Sequence, residues 1–136
     1  MTLEFALTLG LKAEKTETVT DHNTALAYGS GGIRVYATPA MIGLMEGASL
    51  AAVEAALPEW FTTVGTHVSV AHVAATPVGM AVRAEAELTA AAGKKLSFNV
   101  RAYDETGLIG EGTHERYIVE AAPFVAKADK KRPASA

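Results

Sequence analysis

Residues 36–58 read YATPAMIGLMEGASLAAVEAALP. Thr38-Pro39 is a helix-start signal, because Thr is a good N-cap and Pro is tolerated at the first helical position. The pattern predicts a helix from about Pro39 to Leu57, stopped near Pro58. Met41, Ile42, Leu44, Met45, Ala48, Leu50, Ala51, Val53, Ala55, Ala56 and Leu57 leave it apolar on nearly every side. Such a helix is buried on most of its surface. Glu46 is then an anomaly, because an ionised carboxylate is costly to bury unless it is paired or hydrogen-bonded.

Working outward, LEFALTL (residues 3–9) alternates in part and reads as a strand, and TETVTDHNTALAYGSGG (16–32) reads as a polar, then glycine-rich, loop. Four strand-like runs follow the helix. In the first, Val64, Thr66, Val68, Val70 and His72 share a face at period two. In the second, Met80, Val82, Ala84, Ala86 and Leu88 alternate with Arg83, Glu85, Glu87 and Thr89. The third sets Leu96, Phe98, Val100 and Ala102 against Ser97, Asn99 and Arg101, and GLIGEGTHERYIVE (107–120) is the fourth. The short glycine-containing turns AAGKK and DETG predict antiparallel hairpins. The order implies an α+β fold, an antiparallel sheet with one long apolar helix across its inner face. Gly110 and Gly112 inside a strand predict close approach by another backbone, which we assign to the helix. One modest sheet cannot cover such a helix all round, so a second copy is expected, making a homodimer with higher assembly left open. Residues 1–125 form the expected single domain, and AKADKKRPASA (126–136) reads as a disordered tail.

Composition limits the function. The net charge of −3 gives non-specific nucleic-acid binding no electrostatic support. With no cysteine, disulfides, thiolate metal sites and a Cys nucleophile are excluded. The N-terminus lacks signal-peptide features and no apolar run is long enough to span a bilayer, so the expected setting is the cytoplasm, without membrane association.

Three residues stand out as candidates. Glu46 is either a functional acid or a helix-edge residue exposed or paired to an Arg. His72 closes the Val68/Val70 face and points inward, as a core residue or as a group that works with a carboxylate on water or a nucleophile. His67 lies an odd number of positions away and faces oppositely, so the two His make a poor metal pair and no metal or cofactor is expected. Thr38 is an N-cap on the structural reading. On a regular helix Thr38 and Glu46 lie about 12 Å apart along the axis. A shared site therefore needs the chain before Met41 to fold back, or residues from two subunits.

The segments TPAMIGLMEGA (38–48), GTHVSVAHVAATPVG (65–79) and GEGTHERYIV (110–119) occur in the order that resembles the hotdog-fold acyl-CoA thioesterases, in particular the fluoroacetyl-CoA thioesterase-like group. The resemblance runs from about residue 16 to 125. It implies a sheet wrapped around a central helix, a dimer, and hydrolysis of an acyl-CoA to free acid and CoA. By resemblance the catalytic set falls on Thr38, Glu46 and His72. Gly65 falls on a position associated with the thioester carbonyl, and Arg116 on one that either binds CoA or pairs with an acid. Fluoroacetyl specialists resemble one another in Phe-rich sequence just before the catalytic Thr. Here that stretch is AYGSGGIRVYAT (27–38), with glycines where rings are expected, so the substrate is expected to differ from fluoroacetyl-CoA. The alternatives are a non-catalytic acyl-CoA-binding module and a hotdog dehydratase acting on a hydroxyacyl thioester.

Overall fold

The computed structural model describes residues 5–134. The elements run β1 (Lys12–Thr18), α1 (Ala25–Tyr28), α2 (Thr38–Glu54), β2 (Phe61–His72), β3 (Ala81–Ala92), β4 (Lys95–Asp104), β5 (Gly107–Glu120) and α3 (Ala121–Asp129). The five strands form one antiparallel sheet in the order β1-β3-β4-β5-β2.

The alternation in β3 and β4 decides which face packs. Val82, Ala84, Ala86 and Leu88 are buried with Leu96, Phe98, Val100 and Ala102. Against them α2 lays Ala40, Met41, Met45, Ala48, Ser49, Ala52 and Val53. The helix lies chiefly over β1 and β3 and much less over β2. The inner face of the β5–β2 half is thus less covered by the helix, and so is the helix face bearing Gly43 and Ala51. The all-round burial expected of α2 is not met within one chain.

Several details differ from the sequence reading. Residues 5–8 are not a strand, and residues 3 and 4 lie outside the described residues. The first strand is instead KAEKTET, partly inside the stretch read as a loop. It is an edge strand exposed on its outer face, and its inner face, Ala13, Lys15 and Glu17, is mostly polar and at most half-buried, so it carries little hydrophobic alternation. Backbone pairing with β3 and cross-strand charges hold it, including Lys12–Glu87 at 3.2 Å and Arg83–Glu14 at 3.2 Å. The same stretch also contains α1, a single turn capped by the Thr24 hydroxyl and ended by Gly29 at φ 70°. Helix α2 ends at Glu54, three residues before the expected stop. Helix α3 reaches Asp129, four residues into the stretch read as a disordered tail.

Strand β2 departs most. A bulge between Gly65 and His67 leaves Thr66 without a ladder partner. Past the bulge, Val68, Val70 and His72 pair with His114, Gly112 and Gly110 and face inward as expected. Before it, the inward residues are Thr63 and Gly65, opposite Ile118 and Arg116, rather than Val64. Gly110 meets the helix only through a side chain: a Cβ there would lie 2.5 Å from Met41 Sδ, while the nearby backbone atom is the Ala71 carbonyl oxygen of β2 at 3.1 Å, so the expected approach of the helix backbone is not found. Gly112 does not meet the helix, because its obstacle is the neighbouring strand, at the Ser69 carbonyl and Val70 Cα.

Candidate active site

Thr38 is the first residue of α2, and the cap position falls on Ala37, with no side-chain capping bond. The N-cap role expected of Thr38 is therefore not the one it plays. Its Oγ1 lies 2.7 Å from His72 Nδ1 at the end of β2. The chain is held there by ladder-like bonds on both sides. Tyr36 N–H donates to the Thr76 carbonyl at 2.9 Å, and Ala37 N–H to that of Asn23 at 2.9 Å. Tyr36, 1% exposed, also donates its phenol to Glu17 on β1. Burial holds the His72 pKa below its ordinary value, against an opposing backbone hydrogen bond at Ala74. His72 Nε2 is buried and has no protein partner among the described residues. The pair opens onto a cleft of about 370 Å³ bordered by Ala25, Ser30, Ile33, Val35 and Val73.

Glu46 leaves α2 two turns further on and reaches the inner face of the sheet beside β5 and β2. Its side chain is 40% exposed in the single chain, and Oε2 lies 3.6 Å from Arg116 Nη1. The room it occupies exists because position 65 is glycine. A Cβ there would lie 2.6 Å from Glu46 Oε2, 3.2 Å from His114 Cε1 and 3.4 Å from Arg116 Nη1. Arg116 is buried and rigidly held: Nε donates to Thr63 Oγ1 at 2.7 Å and Nη2 to the Thr63 carbonyl at 2.8 Å. Burial lowers the Arg116 pKa and the Glu46 charge opposes that. An arginine remains cationic under such shifts. Among the described residues no group of His, Asp and Glu is arranged to hold a metal ion.

The five candidates thus fall into two groups. Thr38 and His72 form one, and Glu46, Gly65 and Arg116 the other. The helix does not fold back at its start, so the separation of about 12 Å along its axis stands. Along β2, His72 lies about 20 Å beyond Gly65 once the bulge is allowed for. Thr63 and His114, which complete the second group, were not among the sequence candidates. His114 had a visible signal, since it stands two residues from Arg116 and shares its strand face. Thr63 had none, because the bulge inverts the alternation that would place it.

A five-stranded antiparallel sheet laid across one long helix is the hotdog architecture. A hotdog-like protein from Thermanaerovibrio acidaminovorans superposes with a TM-score of 0.82 over 93% of this chain and 94% of its own, at 19% identity, which bears on the fold alone. The family model for fluoroacetyl-CoA-specific thioesterase matches residues 19–122. A fluoroacetyl-CoA thioesterase from Streptantibioticus cattleyicolor is 43% identical over 100 residues, 74% of this chain and 72% of the relative. A solved structure of the fluoroacetyl-CoA thioesterase FlK superposes with a TM-score of 0.88 at 35% identity, over 94% of this chain and 99% of its own. The chain belongs to the fluoroacetyl-CoA-specific thioesterase family and is a thioester hydrolase.

Proposed function

We propose that the protein hydrolyses an acyl-CoA to free acid and CoA at sites built across a homodimer, with Thr38 and His72 from one subunit and Glu46 from the other. The observation that supports this is the division of the candidates on one chain into two separate groups. Strand β2 is an edge strand of twelve residues, with Gly65 to Ser69 exposed. Long open edges pair readily with another strand. If two copies pair antiparallel about Ser69, His72 of one subunit lies beside the Gly65–Thr66 bulge of the other. That is where the partner's Glu46 carboxylate reaches. The same contact covers the open face of α2.

In this site the thioester carbonyl lies between the two groups. The Glu46 carboxylate attacks it directly or draws the proton from an attacking water. In both routes a carbon–oxygen bond forms and the carbon–sulfur bond breaks. When Glu46 draws the proton from water, that proton returns through His72 to the departing thiolate. When Glu46 attacks directly, a water then cleaves the resulting anhydride, releasing the acid, regenerating the carboxylate and supplying the proton that His72 passes to the thiolate. Thr38 fixes the His72 ring through Nδ1. The Gly65 backbone N–H is assigned to the developing oxyanion. Arg116 pairs with Glu46, and its burial leaves it poorly placed to bind CoA.

The acyl group is inferred to be larger than fluoroacetyl. Gly29, Gly31 and Gly32 occupy the segment bordering the cleft beside Thr38, where fluoroacetyl specialists resemble one another in bulky rings. Thiol release from a panel of short-chain, branched, aromatic and fluoroacetyl-CoA thioesters tests the reading. The expected result is release from a larger acyl-CoA that falls at least about a hundredfold in Glu46→Gln. Binding without release from any member would replace the enzyme with a binding module, and an enoyl thioester product would indicate a dehydratase.

A further inference from the structure

We propose that His114 is a positioning residue for Glu46, acting through Arg116 as a neutral hydrogen-bond acceptor. The inference rests on Glu46 being the acid of the hydrolytic site.

His114 is 1% exposed, on β5, with its ring 6.3 Å from that of Phe98 on β4. Its two nitrogens meet different partners. Nδ1 lies 2.7 Å from the His67 carbonyl oxygen, which can only accept, so Nδ1 carries the hydrogen. Nε2 lies 3.1 Å from Arg116 Nη1, which can only donate, so Nε2 keeps its lone pair. The partners therefore define one neutral tautomer. Nη1 is also the Arg116 nitrogen nearest Glu46, and the other two guanidinium nitrogens are held by Thr63. His114 is thus the fixed point that aims the one guanidinium end free to meet the carboxylate. The β2 bulge serves the group twice. It turns Gly65 inward to clear space for Glu46, and it precedes the His67 carbonyl that orients the His114 ring.

Protonation would put a hydrogen on Nε2 and set donor against donor and cation against cation at Arg116. Several groups bear on that proton. Burial and Arg116 on β5 disfavour it, whereas the His67 carbonyl on β2, Glu46 on α2 and Glu115 on β5 favour it. Phe98 on β4 presents no charge. The balance holds the His114 pKa below its ordinary 6.5, so the ring is neutral near pH 7.

Two substitutions and one spectrum test this. In His114→Gln the amide reaches the place of Nε2 and can offer its oxygen to Arg116. In His114→Asn it reaches only the place of Nδ1 and leaves Arg116 without that acceptor. The expected outcome is a kcat loss of about ten- to a hundredfold in His114→Asn, with KM changed less than about twofold, and recovery of most of that loss in His114→Gln. Equal losses that track a lowered Tm in both variants would reduce His114 to a packing residue and overturn the proposal, as would full activity in His114→Asn. Ring-nitrogen NMR of the wild-type protein at pH 7 is expected to show neutral His114 with its hydrogen on Nδ1. An imidazolium, or the opposite tautomer, overturns the proposal even if neither variant folds. Glu46→Gln assayed alongside separates the two claims: wild-type turnover there removes the acid reading and leaves the His114 geometry to the spectrum.

Discussion

Gly65 shows how one missing side chain makes room for a charge. Glu46 extends from an apolar helix, yet its carboxylate is neither deeply buried nor unpaired, being 40% exposed and 3.6 Å from a buried guanidinium. A buried cation held by neutral partners is itself costly, and the nearby carboxylate offsets that cost. Glu46 and Arg116 therefore explain each other's presence. In Gly65→Ala the new methyl would sit 2.6 Å from the present Oε2 position, so the carboxylate must move. The expected consequence is a fall in kcat of about tenfold or more with the fold retained, measured by thiol release and thermal unfolding. Unchanged kcat would show that the carboxylate need not stand where it does. At Thr38 the same scale settles what sequence left double. The residue begins the helix without capping it, and its hydroxyl goes to His72.

At the scale of elements, the β5 glycines answer to different neighbours. Gly110 faces chiefly the Met41 side chain of α2, with the β2 backbone at 3.1 Å, whereas at Gly112 the β2 backbone itself lies at 2.6 Å or less. Gly112→Ala is expected to destabilise by about 1–3 kcal/mol and Gly110→Ala by less, because a thioether can swing aside and a strand cannot. Denaturant midpoints at constant slope measure the difference, and the reverse order would show β2 to be the softer neighbour. The β2 bulge belongs to this scale too. By inserting one unpaired residue it reverses which alternate positions face inward, so Thr63 and Gly65 join a face that simple alternation assigns to Val64 and Thr66.

At the scale of the whole molecule, the open edge of β2 and the uncovered side of α2 are the surfaces that the proposed homodimer would use to join the two groups of candidates. A site shared across a two-fold axis has a signature that no single-subunit site can imitate. Thr38→Ala and Glu46→Gln are each expected to be nearly inactive alone. When subunits are exchanged in equal mixture, half the dimers are mixed and each carries one intact site. Activity should then return to about one quarter of wild type. No recovery after verified exchange would place the whole set within one subunit or remove one of its members.

The sequence by itself determined the long helix, four of the five strands, the antiparallel hairpins at AAGKK and DETG and three motifs that resemble one family. These depend on local periodicity, turn chemistry and residue type, which act over a few neighbours. It also singled out site candidates: Glu46 and His72 because an acid in an apolar helix and an inward histidine are visible as exceptions, Thr38 because it opens the helix, and Gly65 and Arg116 through the family resemblance alone. Tertiary structure decided the remainder. Edge strand β1 is held largely by pairing and cross-strand charge, with a mostly polar inner face under the helix, so its sequence looks like a loop. The bulge depends on how β2 meets β5, and it turns Thr63 and Gly65 to the face where alternation along β5 already sets His114 and Arg116. The division of the candidates into two groups follows from the rigid rise of a helix and the length of a strand, which place Thr38 and Glu46 far apart however close they stand in sequence.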